Sequence, residues 1–196
     1  MNLPNKLTVS RFGLTAAFLV AFFCERLPFN ETWALVFFCL GGITDFLDGE
    51  IARRHKLITN FGILMDPLAD KILVCSAFIA FVEFRLIEAW MVVIIVAREL
   101  AITGLRLLAA SKNQVLAAES LGKHKTISQI TTIISILVLL AYPQWGMFGK
   151  LFAFEAAGHA WIFWFTVVAK WFTVLLTIFS GAMYLWRNRR VYLDET

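Results

Sequence analysis

Cysteine is scarce in this chain, and the three copies, Cys24, Cys39 and Cys75, lie far apart inside apolar runs. They make no CxxC pair and no even-numbered set, which excludes a disulfide framework and leaves them as small buried apolar side chains. Histidine is as sparse. His55, His124 and His159 are isolated, with no second His at ligand spacing, so a loop or surface role is their default. His124, between two lysines, stands where it can add to a cationic group, though nothing in the pattern requires it. The chain holds no internal repeat, heptad run or low-complexity segment. No polar domain follows the first apolar run, so Lys6 and Arg11 ahead of it introduce an uncleaved span rather than a cleaved signal.

What is present is apolar surface. Hydrophobic residues make up 60% of the 196 positions, where soluble domains run at about 45–50%. Mean hydropathy is +0.74. The expected fold class is an all-α integral membrane protein, one domain over residues 1–196. Six apolar stretches near 9–24, 32–50, 62–84, 89–110, 126–142 and 160–186 are each long enough to cross a bilayer, or nearly so. Residues 1–8, with Pro4 and Asn5 at a helix start, suit a short interfacial helix. Residues 53–60 read as a basic loop, 111–125 as a polar connection, and 143–159 as loop with a short interfacial piece. Six spans put both ends on one side. That side collects most of the basic residues, leaving Arg26, Arg85, Lys150 and Lys170 to the other, so it faces the cytoplasm. The net charge of +4 then reports cytoplasmic loops and anionic headgroups rather than nucleic acid. Trp33, Trp90, Trp145, Trp161, Trp164 and Trp186 lie near predicted span ends, as an interfacial belt would.

Against this background the stretch from Asp45 to Asp70 stands out. Asp45, Asp48, Asp66 and Asp70 sit among residues that otherwise look like membrane. One acidic side chain at bilayer depth costs roughly 2.5–3.5 kcal/mol, so two such pairs need positive charge, most simply one or two divalent cations. Asp45 and Asp48 are i, i+3, and Asp66 and Asp70 are i, i+4, so on helices each pair shares a face. Purely structural ion pairs and a cation-transport site remain alternatives. Arg53 and Lys71 beside the aspartates would repel a passing cation and favour an anionic phosphorylated ligand.

The pattern D-x2-D-G-x2-A-R-x8-G-x3-D-x3-D is matched in full by Asp45, Asp48, Gly49, Ala52, Arg53, Gly62, Asp66 and Asp70. It resembles the signature of the CDP-alcohol phosphatidyltransferases. The resemblance implies that a CDP-activated lipid donates its phosphatidyl group to an alcohol and CMP leaves. It implies that Asp45, Asp48, Asp66 and Asp70 hold two ions, Mg2+ or Mn2+, and that Asp70 is also the general base on the attacking hydroxyl. Gly49, Ala52 and Arg53 would line the cytidine diphosphate pocket. A homodimer in the cytoplasmic membrane, with the active site facing the cytoplasm, is the corresponding expectation.

The acceptor is read from a second cationic group. Arg98 and Arg106 are eight residues apart on the fourth span, and Lys123 and Lys125 precede the fifth. Together they suit an alcohol that carries its own phosphate. The strings L-P-N-K-L-T-x-x-R, D-P-L-A-D-K, A-R-E-L, G-L-R and G-K-H-K-T are similar to those of family members whose acceptor is sn-glycerol 3-phosphate. Inositol phosphate, serine and phosphatidylglycerol are acceptors of sister enzymes with the same signature. Asn5, Thr8 and Arg11 are candidates for lipid-headgroup contact or, equally, interface residues at the start of the first helix.

Overall fold

The computed structural model describes residues 3–55, 60–112, 114, 116, 120–156 and 158–193, with side chains for 9–44, 71–112, 114, 116, 122–156, 158–189 and 191–193. The helices are α1 (Leu3–Phe23), α2 (Asn30–His55), α3 (Asn60–Glu83), α4 (Ala89–Ser111), α5 (Ser120–Ala141), α6 (Trp161–Arg187) and a terminal turn α7 (Arg190–Leu193). Two 3-10 turns, Tyr142–Trp145 and Phe148–Leu151, follow α5. Two-residue strands Glu155–Ala156 and His159–Ala160 then pair antiparallel before α6. The protein is an all-helical membrane protein apart from that small hairpin, which occupies part of the segment expected to be loop.

Three expected boundaries move. The separate interfacial helix over residues 1–8 is not there, because Leu3–Phe23 is one continuous helix. Pro4 stands in its first turn, where a missing N–H costs nothing, and no helix breaker follows. Helix α2 runs past residue 50 to His55, through Arg53. Helix α5 begins at Ser120, so Lys123 and Lys125 are helical rather than part of a connecting loop. Lysine and glutamine are good helix formers, and the charge of Lys125 is neutralised by a partner described below.

Among the described residues, Gly122–Trp145 and Trp161–Arg187 are long and apolar enough to cross a membrane. Large apolar side chains face outward along the helices, among them Leu100, Leu107, Val168, Phe172 and Leu175. In water such a surface would be a liability; in lipid it is the solvated face. Trp33, Trp90, Trp161 and Trp164 are exposed at the starts of α2, α4 and α6, and Trp186 at the end of α6.

The core is aromatic. Phe18 and Phe22 of α1, Phe38 of α2, and Phe78 and Phe81 of α3 are buried together with Ile95, Ile133, Ile136 and Leu137. The Phe22 and Phe81 rings meet edge to face at 5.4 Å, and Phe18 meets Phe38 at 6.0 Å, the arrangement ring quadrupoles favour. Helices α2 and α3 approach closely at Gly41, where a Cβ would stand 2.6 Å from Leu73 Cδ2.

Helices α5 and α6 meet through a polar seam, with Thr132 Oγ1 and Thr173 Oγ1 at 2.9 Å and both side chains buried. Lipid is as apolar as leucine, so helices in it associate through small and hydroxyl-bearing residues of this kind. At one end of the bundle, Gln144 donates to Glu31, Thr32 donates to Gln144 Oε1 (3.1 Å), and Trp145 Nε1 donates to Thr32 (3.0 Å). These bonds tie the 3-10 turn that follows α5 to the start of α2. At the same end Lys170 Nζ of α6 donates to the Leu86 carbonyl between α3 and α4. The opposite end therefore holds the end of α2, the starts of α3 and α5, and the end of α4.

Candidate functional site

At that opposite end, α3, α4 and α5 enclose a cavity of about 400 Å³. Helix α4 contributes Arg98, Glu99, Ile102, Thr103 and Arg106, a set at helical spacing that presents one face. Helix α5 contributes Gly122, Lys123, Lys125, Thr126 and Ile127, and α3 contributes Lys71. Thus Arg98, Arg106, Lys123 and Lys125, separated by up to 27 positions in the chain, line one space.

Glu99 organises the cations. Lys125 is 4% exposed, and its ammonium donates to Glu99 Oε1. Arg98 Nη1 reaches the same oxygen at 3.4 Å. One carboxylate thus holds two positive groups that would otherwise repel each other. Five cationic side chains and a single carboxylate line the cavity among the described residues, so that described lining is net positive. Arg106 and Lys123 are exposed at its mouth. Arg106 Nε donates to the Tyr184 hydroxyl at 3.2 Å, and its guanidinium carbon lies 5.7 Å from that ring. Its four Nη N–H groups have no partner among the described residues. Such a concave cluster suits a phosphate monoester, whose oxygens accept charge-assisted bonds from several directions.

The two aspartate pairs stand on helical backbone, Asp45 and Asp48 on α2, Asp66 and Asp70 on α3. Their side chains, with those of Ala52 and Arg53 and the surroundings of Gly49, lie outside what the structure describes, as do the side chains of Asn5 and Thr8. Lys71, the residue after Asp70, lines the cavity, which brings the α3 backbone of the second pair beside it. Among the described residues no three His, Cys, Asp or Glu side chains gather at a metal-binding distance. The donor set that fits a hard divalent cation is the four carboxylates.

Arg11 is 2% exposed, packed inside the bundle, and Thr15 Oγ1 donates to its carbonyl at 2.9 Å. One expectation is corrected. His124 turns away from the cationic cavity and lines a separate apolar hollow between α5 and α6 with Phe165 and Phe172. Sequence reasoning also missed Glu99, which lines the cavity, and Tyr184, which stands behind Arg106. Glu99 stands in the apolar run of the fourth span without a marked role in the sequence. A carboxylate inside an apolar helix needs a named partner, and that signal could have found the pair with Lys125. Tyr184 carries no such signal, because nothing local in α6 points to Arg106.

The chain's relatives bear on this arrangement. A family model described as CDP-alcohol phosphatidyltransferase matches residues 1–179. A Bacillus subtilis (strain 168) protein named CDP-diacylglycerol–glycerol-3-phosphate 3-phosphatidyltransferase is 38% identical, over 95% of this chain and 95% of its own. Proteins of the same name are 32% identical in Rickettsia bellii, over 93% of each chain, and 31% identical in Salmonella typhimurium, over 99% of this chain and 98% of the other. The family match takes in both aspartate-bearing helices and the whole cationic cavity, so this chain belongs to the CDP-alcohol phosphatidyltransferase family.

Proposed function

We propose that the protein transfers the phosphatidyl group of CDP-diacylglycerol to sn-glycerol 3-phosphate, giving phosphatidylglycerophosphate and CMP in anionic phospholipid synthesis. The observation that carries the choice of acceptor is the cavity itself. It gathers Lys71, Arg98, Arg106, Lys123 and Lys125 next to the helix that bears Asp66 and Asp70. Serine, a zwitterion without a phosphate, has no phosphate monoester with which to use that charge. The curated relatives carry the corresponding name.

In this reading the phosphate of the acceptor sits among Arg98, Arg106, Lys123 and Lys125, which leaves its hydroxyl end directed toward α3. Asp70 takes the hydroxyl proton. The hydroxyl oxygen forms a bond to the phosphatidyl phosphorus, the pyrophosphate P–O bond breaks, and CMP departs with the bridging oxygen. Gly49 and Ala52 leave room for the nucleotide, and Arg53 pairs with its phosphate. Asp45, Asp48, Asp66 and Asp70 would hold divalent cations, two Mg2+ or Mn2+. Such ions supply charge neutralisation on the pyrophosphate and a lowered hydroxyl pKa. Asn5 and Thr8 would meet the lipid headgroup. The helices α1 to α6 cross the membrane six times, with both ends and the site at the cytoplasmic face of the inner membrane, and the protein works as a homodimer. What supports this orientation is the crowding of basic residues at the cavity end.

Acceptor competition with purified protein tests the proposal. CMP release from CDP-diacylglycerol is followed with sn-glycerol 3-phosphate, inositol phosphate, serine and phosphatidylglycerol. The expected result is turnover with sn-glycerol 3-phosphate well above the others. Preference for inositol phosphate, serine or phosphatidylglycerol would overturn it.

A further inference from the structure

Helix α6 carries no motif and contributes no side chain to the cavity lining. It nevertheless touches both arginines of α4. At Gly181, buried on α6, a Cβ would stand 2.9 Å from Arg98 Cγ and 3.8 Å from its Cβ. Real Cβ atoms do not approach a side-chain stem so closely, so the Arg98 stem lies in a slot that exists because residue 181 has no side chain. One turn further on, Tyr184 is 2% exposed. Its hydroxyl accepts from Arg106 Nε at 3.2 Å, and its ring lies beneath the guanidinium.

The two contacts act on different parts of the two side chains. Arg98 Nε is buried with no hydrogen-bond partner among the described residues. Only its far end reaches Glu99. Its stem is therefore held by packing against the Gly181 backbone, and its far end by Glu99. Arg106 is exposed, and a free arginine side chain carries about 2 kcal/mol of rotamer entropy. Tyr184 restrains it through the one N–H that a phosphate fork does not need, leaving the Nη edge available. A cation held in place before the ligand arrives loses less freedom on binding.

We propose that Gly181 and Tyr184 are positioning residues that hold Arg98 and Arg106 in register for the phosphate of the acceptor. This rests on the acceptor assignment above. The test measures KM for sn-glycerol 3-phosphate and for CDP-diacylglycerol separately, in Tyr184→Phe, Gly181→Ala, Arg106→Gln and the double variant Tyr184→Phe/Arg106→Gln. Tyr184→Phe keeps the ring and the packing and loses only the hydroxyl. It is expected to raise the acceptor KM about fivefold, the cost of ordering one rotamer-rich side chain on binding, and to leave the donor KM unchanged. Gly181→Ala is expected to move the acceptor KM in the same direction. In the Arg106→Gln background the Tyr184→Phe change is expected to add nothing.

An acceptor KM unmoved by Tyr184→Phe and Gly181→Ala overturns the positioning role, and so does a rise shared equally by both substrates. Fully additive effects of Tyr184→Phe and Arg106→Gln overturn it too. If Arg106→Gln itself leaves the acceptor KM unchanged, the acceptor assignment fails and this inference falls with it. If Arg106→Gln raises that KM while the α6 variants do not, only the inference fails.

Discussion

Lys125 and Glu99 form an ion pair across the α4–α5 interface, the ammonium donating to Oε1 of a carboxylate that also faces Arg98. The lysine side chain is 5% exposed and the glutamate 11%. Two charges removed from water gain little net stability, but removing one of them leaves the other stranded. The pair therefore does more to specify where α4 and α5 meet than to strengthen the bundle, and it places the inner cations of the cavity.

That asymmetry gives the first prediction. Glu99→Gln should lower the midpoint of thermal unfolding in detergent, by about 3 kcal/mol of stability, because Lys125 and Arg98 keep their charges and lose the Glu99 carboxylate. Glu99→Gln combined with Lys125→Gln should recover part of the loss, since only Arg98 then keeps a charge that faced the Glu99 carboxylate. A single variant as stable as the parent would show that the pair is not buried as described.

The aspartates carry the second. Asp70→Asn should reduce CMP release by about 10²–10⁴, the range for a lost general base. Asp66→Ala should abolish it. Both proteins should still insert into membranes. Chelation of divalent metal should silence the parent enzyme, and Mg2+ or Mn2+ should restore it. Near-normal turnover in either variant refutes the assignment.

A third concerns stability alone. Helix α3 ends in a Schellman motif, with Leu86 N–H donating to the Phe81 carbonyl (2.9 Å) and Arg85 N–H to that of Val82 (3.0 Å). Arg85 sits at φ +55°, a left-handed conformation that costs an L-residue roughly 1–2 kcal/mol and glycine almost nothing. Arg85→Gly should raise the unfolding midpoint relative to Arg85→Ala, which keeps the strain. The reverse order would mean that the Arg85 side chain contributes more than its backbone costs.

Much of this was readable from residues alone, and the reason is local. Bilayer-length apolar runs report helices because the membrane leaves the backbone no other partner. The aspartate signature is legible because its spacing is the helix repeat. Arg98 and Arg106 could be assigned to one face for the same reason.

Other features depended on contacts distant in sequence. The extent of α5 back to Ser120, and with it the helical placement of Lys123 and Lys125, follows from a counter-ion on another helix. The burial of Arg11 and the departure of His124 to the far side of α5 are decided by which helix packs where. The roles of Gly181 and Tyr184 have no local mark, because each acts on an arginine more than 70 positions earlier in the chain. Sequence by itself determined the solvent this protein folds in, its helices and the chemistry of its carboxylates, since those are set within a few turns of backbone. Only the tertiary structure decided which cations share a cavity and what holds them, because that requires side chains from three or four helices to meet.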